Sequence, residues 1–88
     1  MALWTREDVI EKIHRWAELY GEPPRAADWN PSGAKWAGQS YRIDRYRLGD
    51  PVAGEPWPSL NAAKRPFGGL LNAAVRAAGL EPARHARA

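Results

Sequence analysis

The sequence predicts a small all-α domain of three to four helices. Apolar residues recur at helical spacing between residues 9 and 20, while helix caps and Gly or Pro stops bracket two further segments, 59–65 and 70–78. A chain of 88 residues is long enough for one domain with one modest core. We therefore expect a single domain over residues 1–82 and a flexible basic tail over 83–88.

The first helix has the clearest pattern. Thr5 is a favourable N-cap with Asp8 at the third helical position, and Gly21 followed by two prolines ends the helix. Asp8 and Lys12 are four residues apart, so we expect them to pair on the helix surface. The apolar face that predicts burial in the core comprises Val9, Ile13, Trp16 and Tyr20.

A short second helix is predicted by "PPRAADWN". Pro24 is suited to its first turn, and the helix should end before Asn30 because a proline follows that residue. We expect Trp29 to point into the core.

Residues 30–58 are expected to form a long irregular insertion between the second and third helices. Tyr41 and Ile43 alternate with polar residues as in a strand, whereas a helical interpretation places Tyr41 beside Leu48, and the pattern leaves both open. An unanchored loop of this length would be rare in so small a domain. The aromatic residues expected to anchor it to the helices are Trp36, Tyr41, Tyr46 and Trp57.

A third helix should begin after Ser59, which is a favourable N-cap. Pro66 forces this helix to end near Arg65, since proline cannot continue a helix. Phe67 is expected to enter the core, and Gly68 with the following glycine turns the chain toward a fourth helix.

The fourth helix should end at Gly79 in a Schellman-type stop, with Leu80 packing back on Val75. The C-terminal stretch is then a pair of short helices joined by a glycine-containing turn. This arrangement matches the helix-turn-helix pattern of DNA-binding domains, although structural hairpins share it.

Charge is distributed unevenly along the chain. Residues 1–30 hold four Lys or Arg against six Asp or Glu, whereas residues 31–88 hold nine against four, and ten of the thirteen cations are arginine. A basic C-terminal two-thirds indicates a polyanionic partner, most commonly nucleic acid. A GC-rich genome would produce a similar excess of Arg and Ala, so charge alone leaves both explanations open.

Composition excludes several classes of protein. The chain has no cysteine, so disulfides, thiolate zinc sites and cysteine nucleophiles are excluded. The start "MALWTRED" lacks the pattern of a secretory signal, and no stretch is long and apolar enough to cross a bilayer. We expect a cytoplasmic protein with no membrane partner, located at the nucleoid if it binds DNA.

Four cations of the middle segment interleave with its aromatic residues: Lys35, Arg42, Arg45 and Arg47. Such interleaving is typical of surfaces that stack bases and contact phosphates. The alternative is that the arginine stems cover aromatic faces while their charged heads stay in water.

Two stretches, "VIEKIHRWAELYGEPPRAADWN" and "WPSLNAAKRPFGGLLNAAVRAAGL", resemble the homing endonuclease associated repeat. This family comprises small helical DNA-binding modules, found beside HNH nucleases and in stand-alone proteins of actinobacteria and their phages. In the family, the helix after the Pro-Ser start acts like a recognition helix. The resemblance assigns that role here to the helix that begins after Ser59, through Asn61, Lys64 and Arg65, and Ser59 itself is expected to contact DNA as well. Pro66 departs from the family pattern, which usually has a basic residue there.

We therefore expect a helix-turn-helix-like module that binds double-stranded DNA, without enzyme activity or cofactor. His14 and His85 have neither a His-Asn-His spacing nor paired carboxylates nearby, so both are expected on the surface. The alternatives are a protein-interaction module that uses the aromatic middle segment and a structural remnant of a larger nuclease-associated protein. The expected phosphate contacts are Arg42, Arg45, Arg47, Arg76, Arg84 and Arg87.

Overall fold

The computed structural model describes residues 4–82. This part of the chain holds five α-helices and two 3-10 turns, and no strand beyond an isolated antiparallel bridge between Asp50 and Glu55. The all-α fold class is therefore confirmed. The helices are α1 Arg6–Tyr20, α2 Pro31–Trp36, α3 Ser40–Leu48, α4 Leu60–Lys64 and α5 Leu71–Ala77, and the 3-10 turns are Ala26–Trp29 and Arg65–Phe67.

Helix α1 forms as its sequence predicts. The hydroxyl of Thr5 accepts a hydrogen bond from the backbone N–H of Asp8 at 3.1 Å, which satisfies one of the free donors of the first turn. Gly21 ends the helix with φ of 80°, a conformation that glycine adopts without strain. Val9, Ile13 and Trp16 are completely buried.

Three tryptophans from distant parts of the chain form the centre of the core. The ring centroid of Trp16 lies 5.1 Å from that of Trp57 and 6.1 Å from that of Trp29, both in edge-to-face geometry. All three side chains are buried, so the expected burial of Trp29 and Trp57 is confirmed. Aromatic residues bury large areas each, which suits a domain with few Leu, Ile and Val residues.

Trp36, in contrast, is 92% exposed, and the prediction that it anchors the middle segment is wrong. It is the last residue of the six-residue helix α2, whose buried side is formed by the small Ala34. Tyr41 is also exposed, whereas Tyr46 packs against the core. The anchors of this segment are therefore Tyr46 and Trp57.

The expected irregular insertion holds two helices, α2 and α3. Asn30 caps α2 by accepting a hydrogen bond from the Gly33 N–H at 3.3 Å, and Pro31 occupies its first position, where its missing N–H costs nothing. The helical interpretation of residues 40–48 is correct and the strand interpretation is wrong. Only the remainder, residues 49–58, is irregular. The preceding 3-10 turn begins at Ala26 rather than at Pro24.

The C-terminal pair of helices also follows its sequence signals. The Ser59 hydroxyl accepts from the Ala62 N–H at 3.2 Å, and Phe67 is buried after the turn. The Leu80 N–H donates to the Val75 carbonyl at 3.2 Å, and the Gly79 N–H donates to the Arg76 carbonyl at 2.9 Å. These two bonds make the Schellman stop predicted at the end of α5.

An ion cluster fastens the irregular segment to α1, and the expected pairing of Lys12 with Asp8 is wrong. Lys12 is only 3% exposed, and its Nζ lies 2.8 Å from Asp50 Oδ2 and 2.8 Å from Glu55 Oε1. Asp50 Oδ1 also accepts hydrogen bonds from the backbone N–H groups of Val52 and Ala53. Residues 50–55 are thereby held against the middle of α1.

The same contacts shift the titration of both buried groups. Burial would lower the pKa of Lys12, but its hydrogen bonds to Asp50 and Glu55 outweigh that effect and raise the pKa. Burial would raise the pKa of Asp50, but the hydrogen bonds from Lys12 and two backbone N–H groups lower it. Both groups are therefore held in their charged forms.

Candidate nucleic-acid interface

Helices α4 and α5 form a bent pair whose turn is fixed by α1. Arg6, in the first turn of α1, donates from Nη1 to the Pro66 carbonyl at 3.1 Å, and its guanidinium carbon lies 4.5 Å from the centroid of the Phe67 ring. Phe67 is buried in the core below. The angle between α4 and α5 is thus set by a proline, a buried aromatic ring and a contact from a third helix.

The residues predicted for DNA contact on this pair of helices lie at its surface. Ser59, Asn61, Arg65 and Arg76 are exposed and Lys64 is half-buried. Within residues 4–82, no carboxylate oxygen lies within 4.0 Å of the charged groups of Lys64, Arg65 or Arg76. The Ser59 hydroxyl already serves as the α4 cap.

An open groove runs along α4 and α5 and brings Lys64 and Arg76 to one place. Its opposite wall is the corner at residues 24–26, which contributes Arg25, a cation that the sequence pattern did not single out. Leu60 and Leu70 supply apolar walls. Asn61 and Arg65 do not line the groove. Of the DNA contacts predicted between residues 59 and 65, Lys64 lies inside the groove, whereas Ser59, Asn61 and Arg65 lie outside it.

Arg42 is not available to nucleic acid, and its predicted phosphate contact is corrected. The residue is 5% exposed, and its Nη1 bonds to Asp28 Oδ1 while its Nε donates to Gln39 Oε1 at 2.9 Å. Asp28 is itself buried and accepts from the backbone N–H of Arg25 at 2.7 Å. Arg42 thus joins α3 to the first 3-10 turn, a long-range contact that residue spacing did not reveal.

The other arginines of α3 have different surroundings. The Arg45 guanidinium lies 4.4 Å from the ring centroid of Tyr20 and 5.2 Å from that of Tyr41, so its stem and head cover aromatic surface. Arg47 is exposed. For Arg45 the contacts favour the interpretation in which arginine covers aromatic faces. Arg84 and Arg87 lie outside the described residues.

Three large apolar side chains between α2 and the turn after α3 are exposed to solvent. Trp36 is 92% exposed, Leu48 at the end of α3 is 68% exposed, and Val52 in the following turn is 66% exposed. Large apolar side chains that are exposed on a free domain are common in protein–protein interfaces. The sequence pattern placed Trp36 in the core, although one of its alternatives was a protein interaction through this aromatic middle segment.

The two histidines were the remaining candidates for a catalytic or metal-binding role. His14 is exposed as expected, and its Nε2 lies 2.6 Å from the Ala78 carbonyl at the end of α5. His85 lies outside the described residues. In residues 4–82, no three His, Asp or Glu side chains are grouped to hold a metal ion, and none of the helices has the length and hydropathy to span a bilayer.

Comparison with known proteins gave no match: no protein-family model, no curated protein and no solved structure is similar to this chain.

Proposed function

We propose that this chain is a module that binds double-stranded DNA through α4, the turn after it and α5, and that it carries out no catalysis. The observation that supports this most directly is the group of three cations on that surface, Lys64, Arg65 and Arg76, without carboxylate partners among residues 4–82. Unpaired cations on a rigid helical pair are what phosphate contact requires. The resemblance to the homing endonuclease associated repeat points to the same helices.

In this proposal α4 approaches the major groove. Asn61 and Arg65 lie outside the groove of the protein, on exposed positions, and are the candidates for contact with base edges. Lys64 and Arg76 contact phosphates, joined by Arg47 from α3 and by Arg84 and Arg87, whereas Arg45 covers the rings of Tyr20 and Tyr41. Because α4 has only five residues, its base contacts span few base pairs, and phosphate contacts supply most of the affinity.

The test is a fluorescence-anisotropy titration of a mixed-sequence duplex at several salt concentrations. Three to five phosphate contacts should give a slope of log K against log salt of roughly −3 to −5, because each contact releases condensed counterions. Absence of binding at ~50 mM salt, where this electrostatic contribution is strong, would contradict the proposal.

A second candidate function is protein interaction through the exposed apolar side chains of α2 and α3. The nearly complete exposure of Trp36 supports it, because burying a tryptophan at an interface contributes more than most other side chains. Absence of duplex binding favours this candidate over the first.

A further inference from the structure

The groove beside α4 and α5 brings together three cations from separate elements. We call it the basic groove and define it by Arg25 at the corner before the first 3-10 turn, Lys64 at the end of α4 and Arg76 near the end of α5, with Leu60 and Leu70 as apolar walls. Glu81 also lines it and is the opposing charge. The lining holds three cations and one carboxylate, and Glu22, which is paired with Arg25, offsets part of that charge, so the groove keeps a net positive charge of about one.

Arg25 is held at this place by its backbone. Its N–H donates to Asp28 Oδ2 at 2.7 Å, and Asp28 is fixed in turn by Arg42, so the start of the 3-10 turn is rigid. The Arg25 side chain, unlike its backbone, has a donor without a hydrogen-bond partner. Arg25 forms an ion pair with Glu22, whose Oε1 lies 3.6 Å from Nε, but this distance is beyond hydrogen-bond distance and Nε is buried without an acceptor. A buried donor without an acceptor is costly. The part of this side chain that a ligand can reach is the rest of the guanidinium, since the side chain as a whole is 28% exposed.

We infer that the basic groove binds the sugar-phosphate backbone of a nucleic-acid strand, with Arg25 as a phosphate contact that completes the set formed by Lys64 and Arg76. This rests on the proposed function and extends it to a residue outside the helical pair. Guanidinium and ammonium groups offer donors only, which fits the acceptor oxygens of a phosphodiester. The apolar walls formed by Leu60 and Leu70 fit the deoxyribose between phosphates.

The size of the groove favours a strand over a single ion. Its volume is about 930 Å³ and it is partly open to solvent, so an isolated phosphate would fill only a small part of it. A strand contacts several points of the groove at once. Glu81 faces the same space, so its charge should weaken the binding of any polyanion there.

The experiment measures the affinity of a fluorescein-labelled duplex for the parent, Arg25→Ala, Lys35→Ala and Glu81→Gln, each at several salt concentrations. Lys35 is the matched control, because it is an exposed cation on α2 that does not line the groove. Arg25→Ala should weaken binding by about three- to tenfold and reduce the magnitude of the salt slope by about one. Lys35→Ala should change affinity less than twofold with the slope retained, and Glu81→Gln should tighten binding by about two- to threefold.

Three outcomes would overturn the inference, and the first two leave duplex binding intact. The first is an Arg25→Ala variant that matches Lys35→Ala in affinity and slope, with both proteins folded by circular dichroism. A second arm titrates inorganic phosphate into the parent and into Arg25→Ala without duplex, at constant ionic strength. Phosphate binding that depends on Arg25, together with a duplex affinity that does not, would show a site for the free ion instead of a strand. A parent that binds polyglutamate through Arg25 but no duplex would overturn both the inference and the proposed function.

Discussion

Lys12 Nζ lies 2.8 Å from Asp50 Oδ2, and both side chains are almost completely removed from solvent. This contact joins the middle of α1 to the start of an irregular segment 38 residues later. A buried ion pair contributes little net stability compared with apolar packing, but removing one partner leaves an uncompensated charge in the interior. The pair therefore fixes where the segment before Trp57 lies.

Asp50→Asn should destabilise the fold by about 3 kcal/mol, because Lys12 then keeps only Glu55 as a charged partner. Glu55→Gln is the matched control, since the Glu55 side chain is 58% exposed and should cost less than about 1 kcal/mol. Urea unfolding of both variants measures the difference. Equal costs would show that Asp50 is not the dominant partner.

The contact between Lys12 and Asp50 should also make the free energy of unfolding depend on pH. The pKa of Asp50 is lowered from its ordinary value of 3.8, so its contribution is present above pH 3.8 and is lost as the pH falls through the folded pKa. The pKa of Lys12 is raised from 10.5, so its contribution is full below pH 10.5 and is lost as the pH rises through the folded pKa. Thermal unfolding against pH should show a smaller acid loss in Asp50→Asn than in the parent. If the melting temperatures of the parent and of Asp50→Asn fell by the same amount as the pH is lowered, this prediction would be contradicted.

The tryptophans should differ sharply in their effect on stability. Trp57→Ala removes a ring from the buried cluster and should cost about 3 to 5 kcal/mol. Trp36→Ala removes a ring that is 92% exposed and should change the free energy of unfolding by less than about 0.5 kcal/mol. Chemical denaturation compares the two directly, and a large cost at Trp36 would show that its ring is covered in solution.

Substitutions of two arginines of α3 should have different effects, one on the free energy of unfolding and the other on duplex binding. Arg42→Ala leaves the buried Asp28 carboxylate without its guanidinium partner and should cost about 3 to 5 kcal/mol. Arg47→Ala, at an exposed position, should leave stability within about 0.5 kcal/mol and weaken duplex binding. The melting temperature and the anisotropy titration measure the two effects. An Arg42→Ala variant as stable as the parent would contradict the interior ion pair.

Replacing Lys64 and Arg65 together by alanine should lower duplex affinity at least about tenfold. Helix content should be retained, because alanine is the better helix former. Within the proposed function, Arg65→Ala alone should weaken binding most on the preferred sequence, whereas Lys64→Ala should weaken all sequences alike. A double variant that binds as well as the parent would remove α4 from the DNA-contacting surface.

Local signals in the sequence were sufficient for most helix boundaries. Thr5, Gly21, Ser59 and Gly79 each act within four residues of their own position, so the chemistry of caps and stops is visible in the sequence. The helix α3 was ambiguous because its apolar residues satisfy neither period fully. Its helical form depends on the tertiary contacts of Arg42 and Tyr46.

Contacts between distant residues were not predictable in this way. Nothing in the spacing of Lys12 or Arg42 distinguishes a buried cation from an exposed one, because burial depends on which carboxylate the fold brings near. The same reason explains Trp36, which composition assigned to the core and the short helix α2 places outside it. In the candidate site, Lys64 and Arg76 were predicted one by one, but their shared groove and its Arg25 wall follow only from the three-dimensional arrangement.

Helix α1 makes polar contacts with partners far along the chain: Arg6 with Pro66, Lys12 with Asp50, and His14 with Ala78. These partners are separated by 60, 38 and 64 residues respectively. The α4–α5 pair should therefore not fold without α1. Isolated helices of five and seven residues are far below the length that is stable in water. A peptide of residues 57–82 should be unstructured alone and acquire helicity only on association with a fragment that contains α1, as in fragment complementation.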